Sequence, residues 1–96
     1  MQMEKKIRAE RSGLPRLAAL MAAPLMAERS IVLAGRRARL RLETEVWNGL
    51  DEVARRQGRP VADLCGELDD ARDDGVPLSS AIRTFVLDYF REASRA

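Results

Sequence analysis

Three arginines, Arg37, Arg39 and Arg41, alternate with Ala38, Leu40 and Leu42 in a 96-residue chain that otherwise reads as helical. A guanidinium group stays charged at physiological pH and presents a planar fork of N–H donors. Its chemistry is therefore the recognition of anions and paired acceptors, not proton transfer. A period of two puts the three arginines on one face of a β-strand and the apolar residues on the other. Charges this close repel one another, which makes a purely structural role expensive and points to an anionic partner, DNA first among them.

Such a strand cannot stand alone, because its backbone N–H and C=O groups need partners and its apolar face needs cover. The simplest partner is the same strand of a second copy, giving a two-stranded ribbon with every arginine on one side. A hairpin in which Ile31–Leu33 folds back on Arg37–Leu42 is the weaker alternative, since Gly35-Arg36 lacks the Asn-Gly or Asp-Gly signal of a tight turn.

The length allows a single domain with too small a core for an elaborate buried site. Residues 1–41 hold ten Lys/Arg and three Asp/Glu, whereas residues 42–96 hold seven and twelve, so only the N-terminal part attracts polyanions. The single cysteine, Cys65, cannot form an internal disulfide, which suits a reducing cytoplasm. No apolar run approaches the roughly 20 residues of a membrane helix, and no membrane partner is expected. Residues 1–30 read as an N-terminal arm, flexible or a short helix with Leu14, Leu17, Leu20 and Met21 on one side; residues 31–96 read as the folded domain. The run Leu17–Ala27 faintly resembles a signal peptide, but Pro24 interrupts it and no clean cleavage site follows.

Beyond the strand, Thr44 is placed to cap a helix carrying Val46, Trp47, Leu50, Val53 and Ala54 as one apolar stripe. Gly58 ends it, and Pro60 suits the first position of the next helix, whose stripe is Val61, Leu64, Cys65 and Leu68. Gly75 and Pro77 mark the next stop. Ser79 is expected to cap a third helix facing inward with Ile82, Phe85, Val86 and Tyr89, with Leu78 as a hydrophobic staple.

The segment Gly35–Glu43, then Trp47, then Leu78–Arg83 with Phe85-Val86-Leu87, resembles the ribbon–helix–helix (MetJ/Arc-like) DNA-binding domain, in a bacterial subfamily with an extra C-terminal helix. The resemblance implies a mainly α fold with one short strand that pairs antiparallel with the same strand of a second chain. It implies Arg37, Arg39 and Arg41 as base contacts in the major groove, where an arginine fork matches guanine. It also implies phosphate contacts from Arg36, Arg59 and the amides of Val61 and Ala62 at the start of the second helix. Many relatives have Ser or Thr near Pro60, and Asp63 opposes a phosphate there, so the clamp departs from the pattern. Leu40, Leu42, Trp47, Leu50, Leu64 and Leu68 are expected to form a core shared by two chains, with dimerisation inseparable from folding.

Other features read more plainly. Trp47 is expected in the core, and Cys65 as an inert small hydrophobe. The cluster Asp69, Asp70, Asp73 and Asp74 lacks the spacing of a calcium loop, so no metal is expected. Gly66 costs helix stability unless close packing between two chains requires it. With no histidine and no phosphate-cradling loop, no catalytic residue and no cofactor are expected. The function expected is a homodimeric, sequence-specific transcriptional regulator, a repressor. The alternative is a protein-interaction module such as an antitoxin or adaptor, holding a protein partner through the N-terminal arm.

Overall fold

The computed structural model describes residues 25–95. The arm expected over residues 1–30, with its apolar stripe at Leu14, Leu17, Leu20 and Met21, lies mostly outside the described residues. The elements run β1 (Met26–Leu33), β2 (Arg36–Glu43), α1 (Thr44–Gln57), α2 (Val61–Ala71) and α3 (Leu78–Arg95).

The weaker alternative, a hairpin, is the arrangement found, and its first strand is longer than the Ile31–Leu33 segment expected for it. Among the described residues two strands form an antiparallel pair with Leu33 opposite Arg36 and Met26 opposite Glu43. The boundary expected between residues 30 and 31 therefore falls inside β1. The turn is Ala34-Gly35, with φ of 51° and 78°, and two successive positive φ values are what a two-residue hairpin of right-handed twist requires. Glycine takes that conformation freely and alanine does so at a cost. The pairing of two eight-residue strands outweighs it.

Each strand contributes one residue to the deepest layer, Ile31 from β1 and Leu42 from β2. The three helices cover that side of the sheet. Trp47, Leu50, Val53 and Ala54 of α1, Leu64 and Cys65 of α2, and Ile82 of α3 complete the core. The expected stripes are thus the buried ones, with Val46, Val61, Leu68, Phe85, Val86 and Tyr89 at the half-buried margin. One chain buries this core by itself. Leu42, Trp47, Leu50 and Leu64, expected to need a second chain, are already enclosed, while Leu40 and Leu68 are half-buried. The extra strand and extra helix supply cover that was expected from a partner.

The expected caps also differ, because the helices start a residue or two earlier or later than the spacing suggests. Glu43 occupies the position before α1 and makes no side-chain cap. The Thr44 N–H donates to the Leu25 carbonyl at 2.8 Å, extending the hairpin ladder into the helix start. Pro60 precedes α2 instead of opening it, and its carbonyl accepts the N–H groups of Asp63 and Leu64. Helix α3 already includes Leu78, so Ser79 lies in its first turn, and the Pro77 carbonyl receives the Ala81 N–H. Gly58 ends α1 as expected, at φ 64°. The tight helix glycine is Gly49: a Cβ there would sit 2.6 Å from Cγ1 of Val86 on α3, whereas Gly66 has open space around it within one chain.

Candidate nucleic-acid interface

Cross-strand register fixes which side chains share a face, since directly opposed residues point the same way. Ala38, Leu40 and Leu42 face the helices together with Ile31, Arg29 and Ala27 opposite them. Arg37, Arg39 and Arg41 form the outer face, opposite Val32, Ser30 and Glu28. All three arginines are exposed. Arg36 is exposed at the turn, where alternation assigns it to the other side of the sheet.

What separates these arginines from the rest is the lack of partners. Among the described residues, every arginine outside β2 has a carboxylate: Arg29 with Asp51, Arg55 and Arg56 with Glu52, Arg59 with Glu67, Arg72 with Asp69, Arg83 with Glu43, Arg91 with Asp88 and Arg95 with Glu92. Arg36, Arg37 and Arg41 have none, and Arg39 has only a long contact, 3.8 Å from its Nε to Oε1 of Glu28. Among the described residues, guanidinium groups without a close carboxylate are thus confined to one strand, and the outer row can accept an anion at the expense of no more than the long Glu28 contact.

Among the described residues, the edge of β2 away from β1 is also open. Hydrogen-bonded and non-bonded pairs alternate along an antiparallel ladder. The Thr44-to-Leu25 bond sets the phase, so the even-numbered residues of β2 bond to β1. The backbone groups of Arg37, Arg39 and Arg41 therefore turn to the free edge, where another strand can pair.

The expected phosphate clamp is only partly assembled. The N–H groups of Val61 and Ala62 open α2 without a protein acceptor among the described residues, at the positive end of the helix dipole. Arg59 beside them is already committed to the Glu67 carboxylate, which its charge and hydrogen bonds hold below the usual carboxylate range. A phosphate that engages Arg59 as well must displace Glu67. Sequence reasoning missed Glu28, Ser30 and Val32 as members of the arginine face; the signal for them was the Ala34-Gly35 turn, from which the register follows.

A ribbon-helix-helix domain model matches residues 26–90, which includes both strands and nearly all of the three helices. The chain belongs to the ribbon–helix–helix family. No curated protein and no solved structure matches it. The ribbon–helix–helix fold is a DNA-binding and regulatory one, not an enzyme scaffold. Among the described residues no cluster of His, Cys, Asp or Glu is suited to a metal ion, and no helix is long and apolar enough to cross a membrane. Cys65 is buried, and desolvation pushes its thiol up to about 11, far from a reactive thiolate.

Proposed function

We propose that two copies of this ribbon–helix–helix chain form a sequence-specific DNA-binding regulator, a bacterial cytoplasmic repressor, whose β2 strands pair along their free edges. That pairing brings two rows of Arg37, Arg39 and Arg41 side by side as the ribbon that enters the major groove. The observation that carries this reading is the row itself: three exposed arginines on one face, with no firm carboxylate partner among the described residues. Arginine forks favour guanine, whose O6 and N7 they bond together, so the half-site is guanine-biased. Arg36 at the turn and the Val61 and Ala62 amides hold phosphates, and Arg59 contributes little because Glu67 occupies it.

Light scattering on the purified chain, paired with a gel shift on genomic fragments, tests the proposal. The expected result is a dimer that retards a subset of fragments. A chain that stays monomeric at micromolar concentration, or one that retards all fragments alike, contradicts it.

A further inference from the structure

The arginine row does not stand alone on its face. Strand β1 lays Glu28, Ser30 and Val32 beside it, and Glu28 is opposite Arg41 and diagonal to Arg39. Its Oε1 lies 3.8 Å from Arg39 Nε, with both side chains more than half exposed. We infer that Glu28 is a specificity-determining residue of the DNA interface, a carboxylate that competes with phosphate for Arg39 and yields it only to a base pair presenting two acceptors. The inference rests on the DNA-binding reading above and adds a residue to it from the N-terminal part of β1, beyond the Ile31–Leu33 segment that the sequence offered as a returning strand.

Two physical points support it. First, the exposed, long ion pair is weak, and the neutral O6 and N7 acceptors of guanine do not repel the Glu28 carboxylate, whereas a phosphate drawn to Arg39 brings a like charge beside it. The acid therefore subtracts more from indiscriminate binding than from matched binding. Second, strands lie about 4.8 Å apart, so in a sheet ordered β1-β2-β2-β1 the outer strands sit about 7 Å from the central axis. A groove about 12 Å wide takes the two β2 strands and places β1 over the phosphate walls. A carboxylate at Glu28 then lies near phosphates, and its repulsion is strongest where Arg39, with no guanine to hold it, is drawn to a phosphate beside it. Ser30 and Val32 carry no charge, so Glu28 is the one acid that β1 contributes to this face.

The test measures dissociation constants for a duplex selected by the wild-type protein and for a random-sequence duplex, at several salt concentrations, using wild type, Glu28→Gln and Asp70→Asn. The Asp70 variant removes the same charge from an exposed position on α2 and controls for net charge. Glu28→Gln is expected to tighten random-duplex binding about three- to tenfold and selected-duplex binding by less, narrowing the ratio and steepening the salt dependence. Asp70→Asn is expected to move both affinities less than about twofold. An unchanged ratio in Glu28→Gln, or equal shifts in both variants, overturns the inference and leaves the DNA-binding reading intact. Wild-type protein that selects no sequence removes the DNA-binding reading, and this inference with it.

Discussion

Arg29 and Arg39 sit on neighbouring strands of one hairpin, yet they do different work. Arg29 faces the helices. Its two terminal nitrogens bond both oxygens of Asp51 at 2.8 Å, and its guanidinium carbon lies 4.5 Å from the Trp47 ring centre. Trp47 in turn donates its indole N–H to the Ala27 carbonyl at 2.9 Å, tying α1 to β1. Arg39, on the outer face, has one long contact and is 78% exposed. The first guanidinium is paired bidentately and serves the fold; the second has its donors free for a group outside the chain. The number and quality of local partners, not residue type, separates the two arginines.

Replacing Arg37, Arg39 and Arg41 together with alanine should break this contrast most severely. At roughly 1–3 kcal/mol of discrimination per base pair read, sequence-selective binding should fall by about a hundredfold or more. Thermal stability should stay within about 0.5 kcal/mol of wild type, since exposed unpaired side chains support little. Arg29→Ala should do the reverse: a stability loss of about 1 kcal/mol in denaturant titration, from an exposed ion pair and a cation–π contact, with the ratio of matched to random DNA affinity unchanged. An effect of Arg29→Ala on that ratio would erase the distinction between the two faces.

Acidification should sharpen it further. Arg29 holds the Asp51 carboxyl below its ordinary 3.8. Stability from this pair is therefore fully present above that ordinary value and is lost as pH falls through the lowered one. Denaturation midpoints for wild type should drop below about pH 4, and the drop should be smaller in Asp51→Asn. The smallest effect concerns Gly66. With open space around it in one chain, Gly66→Ala should raise stability by up to about 1 kcal/mol. A loss of stability together with a loss of dimer would instead place a second copy against that helix face.

Strand β2 was legible because its alternation is strict from Arg37 to Leu42, with Ala38, Leu40 and Leu42 inward. Strand β1 was not, because its inward row reads Ala27, Arg29, Ile31, Leu33. An arginine at an inward position spoils the pattern until Asp51 and Trp47, distant in sequence, are seen to receive it. The turn was hidden for a similar reason: Ala34 adopts a positive φ that nothing local requests, and strand pairing imposes it. Helix stripes were legible because they depend only on spacing along one element. The caps were not, since Thr44 and Glu43 are engaged by Leu25 and Arg83, contacts that spacing cannot reveal. The arginine row could be read as a site from its residues, whereas Glu28 joined it only through cross-strand register.

The central claim is that the outer arginines of β2 read sequence. Selection of bound duplexes from a random pool, run in parallel on wild type and Arg39→Ala, tests it most directly. Wild type should select a guanine-biased, two-fold symmetric site, and the variant should lose preference at one base pair per half-site. Identical selected sites for both proteins, or no enrichment with wild type, would contradict it.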